Sequence, residues 1–187
     1  MPLERLTTPA VLPVSLTRAR QHLRVDDTLD DALIADMLAA ASRRLEQEAG
    51  IACITSQWRL WADCLPADGV LRLPLAPVAG IDEVAVRARD GWKTVPGSDW
   101  QADLVSRPPR LRMVNDWPAP DGGLNAVRVT FTAGFGADEA AVPEELRMAV
   151  LILAAHYYEF REGGAAPAGL PPEVRHLIAP WRPLALS

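Results

Sequence analysis

Four aspartates lie close enough together in the sequence to suggest a divalent cation site: Asp26, Asp27, Asp30 and Asp31. The group lacks the alternating oxygen ligands, the turn glycine and the distal glutamate of a calcium loop. It lies instead where a helix is expected to begin, and carboxylates at that position cap the helix and complement its dipole. We therefore interpret these aspartates as capping residues and predict no metal site.

The histidines and cysteines match no catalytic or metal-binding pattern. Two cysteines cannot form a disulfide framework or a four-ligand zinc site, and no local motif supports a cysteine–histidine nucleophile pair. The chain also lacks a Gly-x-Ser-x-Gly nucleophile elbow and a His-Glu-x-x-His zinc motif. We predict that the protein is not an enzyme and uses no cofactor. The residues concerned are His22, His156, His176, Cys53 and Cys64.

The segment Gly134-Phe135-Gly136 precedes a predicted helix and follows a predicted strand, as phosphate-binding loops do. It matches neither the dinucleotide fingerprint nor the Walker pattern, and no lysine follows it. The nearby glutamates Glu139 and Glu144 would repel an anion at this helix N-terminus. We interpret the glycines as the means by which the chain turns tightly into the helix.

The charge balance argues against a protein that coats nucleic acid. The 187 residues carry a formal net charge of −5, and Lys93 is the only lysine. Non-specific binding to nucleic acid depends on clustered basic residues that neutralise phosphates.

The N-terminal segment has no apolar signal core, so we expect no secretion.

One long helix, predicted over residues 142–161, organises the rest of the chain. It is apolar on nearly every face, so other elements must cover it on several sides. Its apolar run is far too short to cross a bilayer. The stripe that we expect to form the core spine is Leu146, Val150, Leu153, Tyr157 and Phe160.

The remaining elements predict an α+β fold, in which a small helical bundle surrounds the long C-terminal core helix and an antiparallel β lobe is inserted. Further helices are expected near 13–23, 30–49 and 170–178, the first with Ser15 as N-cap. Strands are expected near 54–60, 70–73, 84–89, 110–114 and 127–132, with a hairpin turn at Asp90-Gly91. We predict a single domain with a helical core at 13–52 and 140–178, a β lobe at 53–136 and a C-terminal docking tail at 179–187.

Two groups of residues have no clear place in this core. The tail beyond residue 178 is apolar and stiffened by proline, which suits docking into a partner's groove, although it could equally fold back on its own domain. The β lobe is rich in tryptophan and arginine, the residues most enriched at interface hot spots. Within the lobe, the candidates for a neck or subunit interface are Trp92, Trp117 and Arg89.

Seven stretches in order resemble the head–tail connector, or adaptor, proteins of long-tailed bacteriophages and phage-derived gene transfer agents. The resemblance covers nearly the whole chain, and its least matched part is the strand segment 63–121, apart from the stretch 72–78. The stretches are PVSLTRARQHLRVD (13–26), DDALIADML (30–38), RLPLAPV (72–78), VRVTFTAGFG (127–136), VPEELR (142–147), AHYYEFR (155–161) and LPPEVRHLIAPWR (170–182).

The resemblance implies a structural protein of the virion or particle neck, made in the bacterial cytoplasm and not bound to a membrane. Such adaptors form a ring, expected here to be a dodecamer, beneath the portal. They extend the DNA channel, meet DNA only transiently in its lumen, and bind the next neck protein (the stopper) or a tail component. The family's C-terminal segment reaches the portal, which assigns portal docking to Pro180, Trp181, Arg182, Pro183, Leu184 and Leu186.

A second hypothesis is that the chain is a small nucleic-acid-binding or accessory module of a phage-like operon. In that case the tryptophans and arginines of the β lobe would stack on single-stranded bases. The two hypotheses differ in a measurable way, because base stacking with phosphate contacts predicts DNA binding that falls steeply with salt.

Overall fold

Two units, one helical and one built from β-strands, make up the chain. The computed structural model describes residues 1–115, 117, 120, 123–161 and 169–182. The β unit comprises Met1–Thr8 and Thr55–Gly134, and the helical unit comprises Pro9–Ile54 and Phe135–Ser187. Within the described residues there are four helices and two antiparallel sheets, which confirms the predicted α+β class. The single domain with its stated internal bounds stays a prediction.

The helical unit is a bundle arranged around its longest C-terminal helix. The helices are α1 (Leu16–Leu23), α2 (Asp31–Ala49), α3 (Glu144–Glu159) and α4 (Pro172–Ile178), and α3 contacts the other three. Each lies within a few residues of its predicted position. Two residues account for the start of α3 and the end of α2. Pro143 stands just before α3, whereas Gly50 ends α2 in the left-handed conformation that glycine adopts most easily.

Buried apolar side chains from all four helices form one core cluster. The α2 stripe contributes Ile34, Leu38 and Leu45, and α4 contributes Val174 and Ile178, all of them fully buried. Each such aliphatic side chain contributes about 1.5–3 kcal/mol when it is removed from water. The cluster also receives partly buried side chains, so α3 is covered on several sides as its apolar composition requires.

The two chain segments that lead into and out of the β unit run side by side. Phe135 donates its backbone N–H to the Cys53 carbonyl at 3.2 Å, and Ile54 forms a bridge with Gly136. The buried carboxylate of Glu46 accepts the Cys53 N–H at 2.8 Å. A Cβ at Gly136 would lie 2.3 Å from the Ala141 Cβ. This close approach, rather than a phosphate, accounts for the glycine at position 136.

The β unit contains a five-stranded and a three-stranded antiparallel sheet. The larger sheet has the order β1-β2-β8-β4-β5, and the smaller has the order β3-β7-β6. The strands are β1 (Leu3–Arg5), β2 (Ser56–Ala62), β3 (Val70–Arg72), β4 (Val78–Ala88), β5 (Gly91–Thr94), β6 (Trp100–Asp103), β7 (Arg110–Met113) and β8 (Val127–Ala133). The predicted strands all occur, and the hairpin at Asp90-Gly91 connects β4 to β5.

The alternation of side chains in β2 and β8 gives the larger sheet two different faces. Trp58, Leu60 and Phe131 are buried on one face, whereas Arg59 and Trp61 lie on the other and are partly exposed. Side chains alternate in this way because successive residues of a strand point to opposite sides. The larger sheet therefore has one buried apolar face and one partly exposed face with tryptophan and arginine.

Candidate interaction surfaces

The predicted core spine lies inside the helical unit and offers little surface to a partner. Leu146 and Val150 are fully buried, and Leu153 is 1% exposed. Tyr157 and Phe160 are half-buried at the C-terminal end of α3, where the Phe160 ring lies 4.7 Å from the ring of His156. The spine thus belongs to packing, and the surfaces that could bind partners lie elsewhere.

The first part of the C-terminal tail is held against the helical unit. The rings of Trp181 and Phe135 meet edge to face with centroids 5.3 Å apart, a favourable arrangement for two aromatic rings. The Arg182 guanidinium binds the Glu48 carboxylate of α2 at 2.8 Å. Pro180 is exposed beside them. The other predicted docking residues, Pro183, Leu184 and Leu186, lie outside the described residues.

These contacts distinguish residues 181 and 182 from the rest of the tail, although both parts have a similar composition. Trp181 and Arg182 already bind partners on their own helical unit, so each is less available to a foreign groove than its residue type suggests. Arg182 and Glu48 are far apart in the sequence, which is why the ion pair could not be predicted. The portal-docking role of the tail stays a prediction.

The partly exposed face of the larger sheet carries a small network of tryptophan and arginine. The Trp92 ring lies 5.8 Å from the Trp61 ring, and the Arg128 guanidinium lies 4.6 Å from the Trp92 ring centroid. Arg128 also pairs with Glu83 at 3.2 Å. Trp92 is 37% exposed on the edge strand β5, and Arg89 is exposed in the preceding turn. We call the face formed by Trp61, Trp92 and Arg128 the Trp/Arg face.

Trp117, the remaining interface candidate of the β unit, is buried rather than exposed. Trp117 is only 9% exposed, and its indole N–H donates to the Asp99 carbonyl at 2.9 Å. A buried indole with a satisfied N–H is a packing residue in the isolated chain. Of the three candidates for a neck or subunit interface, Trp92 and Arg89 present surface, whereas Trp117 presents little.

A short loop between β6 and β7 is ordered by a single carboxylate. Asp103 accepts the backbone N–H groups of Val105 and Ser106 at 3.2 and 3.0 Å, and the Ser106 hydroxyl at 2.6 Å. It also binds the Arg110 guanidinium at 2.9 Å. The Ser106 hydroxyl and N–H, followed by Arg110, hold the pKa of Asp103 well below its usual range. The sequence carried no signal for this loop.

The low pKa of Asp103 gives a pH-dependent loop, which can be tested by NMR. Because ionisation favours the folded loop, the stabilisation is complete above about pH 4 and is lost as the pH falls through the lowered pKa. We expect the Val105 and Ser106 amide signals to shift below the pH at which an ordinary aspartate titrates. The Ser106→Ala variant should move that midpoint upward, and Asp103→Asn should abolish the transition. An ordinary midpoint in the wild-type protein would contradict this account.

The aspartates near α2 act mainly by binding other residues rather than by capping the helix. Asp30 occupies the N-cap position without a side-chain cap hydrogen bond, and its carboxylate instead accepts the Tyr158 hydroxyl of α3. Asp31 pairs with Arg20 of α1 at 3.5 Å. Asp27 accepts the Leu29 N–H. The capping interpretation was therefore wrong for Asp30.

No candidate metal centre appears in the part of the chain that the structure describes, since it contains no cluster of three or more His, Cys, Asp or Glu side chains that could hold an ion. Cys53 is buried and Cys64 is exposed, and neither forms a disulfide. None of the described helices is both long enough and apolar enough to span a lipid bilayer.

Charge is unevenly divided between the two units. Of the 24 acidic and 19 basic residues, the β unit carries ten of each, whereas the helical unit carries fourteen acidic and nine basic residues. The whole net charge of −5 therefore lies in the helical unit. A surface with this excess repels polyanions and attracts basic protein segments.

The chain is similar over its whole length to chains of three solved structures, covering 98% of each. One is from the "Neck of empty GTA particle computed with C6 symmetry", at 31% identity and a TM-score of 0.82. A second is from the "Virion of native gene transfer agent (GTA) particle", at 31% identity and 0.84. A third is from the "Neck of native GTA particle computed with C12 symmetry", at 32% identity and 0.80. No family model and no curated protein matches the chain.

Proposed function

Because the chain belongs to the head–tail connector family of long-tailed phages and gene transfer agents, we propose that it is the adaptor that forms a ring under the portal. In this role it is a structural protein of the particle neck. The ring extends the DNA channel from the portal and offers a surface to the next neck protein, the stopper, or to a tail component.

The full-length likeness to neck chains of gene transfer agents carries this proposal. Both units are matched, so the likeness does not depend on one common motif. The related necks were computed with C6 and C12 symmetry, and a ring of twelve copies satisfies both. This supports a dodecameric ring for the present chain. In such a ring each subunit makes one small contact with the portal, and the contacts together give strong binding.

We assign portal docking to the part of the tail that follows Arg182. The contacts of Trp181 with Phe135 and of Arg182 with Glu48 hold the start of the tail on the helical unit. Two leucines and a proline then follow, and they make an apolar segment that a portal groove can bury. In this proposal Trp181 and Arg182 position the segment, while Pro183, Leu184 and Leu186 contact the portal.

We assign the contact with the next neck protein, or with a neighbouring subunit, to the Trp/Arg face together with Arg89. Trp92 combines a large exposed ring with a cation stacked on it, an arrangement typical of interface hot spots. Its position on an edge strand also leaves backbone groups available for a partner. Trp117 is buried, so we expect it to support this face from within rather than to touch the partner.

The charge distribution favours an adaptor over a nucleic-acid-binding module. Single-strand binding requires a basic groove beside the stacking rings, but Arg128 is paired with Glu83 and the β unit has no net positive charge. An acidic helical unit instead suits a channel that DNA passes through without being held. We therefore propose that DNA is present only transiently in the lumen of the ring.

Electron microscopy of purified DNA-filled heads, with and without added protein, tests the adaptor function directly. We expect added protein to form a ring of twelvefold symmetry beneath the portal, and heads without it to lack that density. Heads that remain unchanged at saturating protein, or protein bound elsewhere on the capsid, would contradict the proposal. Binding of the isolated protein to single-stranded DNA at low salt would favour the alternative module.

A further inference from the structure

The loop at 103–110 displays an apolar side chain that its own unit does not cover. Val105 is 93% exposed, even though its backbone N–H is bound by Asp103. Asp103 also fixes Ser106 and Arg110, so the loop holds its shape without help from a partner. An ordered loop with a bare apolar tip loses little conformational entropy on docking, which makes it a preorganised contact.

The helical unit carries a groove of complementary chemistry. Its volume is about 350 Å³, and its walls are Val11, Leu12, Val14 and Leu16, with Asp138 and Glu139 beside them. The segment that contributes these apolar residues runs into the first residue of α1, Leu16, and leaves Val11 44% exposed. Val14 is fully buried. The groove is therefore an open depression with a mainly apolar lining.

Both carboxylates at the groove are fixed in place. Asp138 accepts the N–H groups of Ala140 and Ala141 at 3.0 and 3.2 Å, and Glu139 accepts the Ser15 N–H. The groove consequently combines a mainly apolar lining with fixed negative charge. The 103–110 loop combines an apolar tip with positive charge, since Arg107 follows Val105 by two residues.

A cyclic ring needs two different patches on every subunit, because its interfaces are head to tail. We propose that the Val105 loop of one copy docks into the Val11–Leu16 groove of its neighbour in the ring. Val105 occupies the groove, and Arg107 lies toward Asp138 and Glu139. The loop lies on the β unit and the groove on the helical unit. Each subunit therefore offers its loop to one neighbour and its groove to the other. This inference rests on the proposed ring.

Disulfide trapping on assembled particles tests the contact. The background variant is Cys64→Ser, which removes the exposed thiol and leaves the buried Cys53. In that background, Val105→Cys combined with Val11→Cys should give intermolecular disulfides and a ladder of oligomers on heads. The matched control is Leu124→Cys with Val11→Cys, because Leu124 is also an exposed apolar residue of the β unit. Equal trapping by the control pair would overturn the proposal.

A charge substitution separates this inference from the adaptor function. Val105→Asp should leave the circular dichroism spectrum unchanged, since the side chain is solvent-exposed, and should reduce ring-bearing heads by at least about tenfold. Leu124→Asp is the control and should assemble normally. If wild-type protein forms no ring on heads, the proposed function fails. If wild-type and Val105→Asp proteins form rings equally well, the ring stands and this contact is wrong.

Discussion

Truncation after Arg182 is expected to abolish attachment to the portal while leaving the folded protein intact. The deletion removes Pro183, Leu184 and Leu186 but keeps the contacts of Trp181 and Arg182 with the helical unit. Burial of each leucine contributes about 1.5–3 kcal/mol, so the two together account for about 3–6 kcal/mol per subunit. At the upper end that is more than about a thousandfold in affinity for a single tail.

The ring increases this effect. When one subunit of a ring is docked, the next tail is held near its own site, and binding strength grows with each additional contact. Loss of all the docking segments removes that gain as well. We therefore expect no co-sedimentation of the truncated protein with portal-containing heads at concentrations where the full chain saturates them.

A longer deletion provides the control for this experiment. Truncation after Ile178 removes Trp181 and Arg182 in addition, so it should both abolish attachment and lower the free energy of unfolding by about 1–3 kcal/mol. The estimate is below the full cost of truncating a core tryptophan, because Trp181 is only half-buried. The Arg182–Glu48 ion pair is partly exposed and adds little. Normal attachment by the chain that ends at Arg182 would place the docking site before residue 183.

The helices and the longer strands could be predicted because each has a regular period that burial imposes. α2, α3 and β8 repeat apolar residues at helical or strand spacing over at least two turns or three alternations. β1 and β6 escaped prediction because three or four residues cannot display a period. The equally short β3 and β7 were predicted because turn-forming residues at 66–69, 74–77 and 108–109 mark their ends. β1 is a strand because β2 offers it a free edge, which is a tertiary cause.

The roles of individual polar and aromatic residues were less predictable, since they depend on neighbours distant in sequence. Asp30 has the residue type and position of a cap, yet Tyr158 of α3 binds it instead. Trp92 and Trp117 look alike in the sequence, but the fold exposes the first and buries the second. An interface on the β lobe stays a prediction from composition, whereas which of its tryptophans are exposed could be read only from the structure.

Replacement of Leu153 by alanine is expected to lower the free energy of unfolding of the helical unit by about 2–5 kcal/mol. The side chain is 1% exposed in the centre of α3, and α1, α2 and α4 all contact this helix. The substitution removes buried apolar surface and leaves a cavity that close-packed neighbours cannot fully fill. Because small domains are stable by only about 5–15 kcal/mol, such a loss is a large part of the total.

The matched control is Leu33→Ala on α2, where the same atoms are removed from a side chain that is 38% exposed. We expect it to cost about 1 kcal/mol, clearly less than at Leu153, since more than a third of the Leu33 surface already meets water and its truncation leaves no enclosed cavity. Urea unfolding followed by far-ultraviolet circular dichroism reports the helices. Tryptophan fluorescence reports mainly the β unit, which holds every tryptophan except Trp181. A cost at Leu153 no larger than at Leu33 would mean that α3 is not the core of its unit, and that its apolar faces instead meet neighbouring subunits.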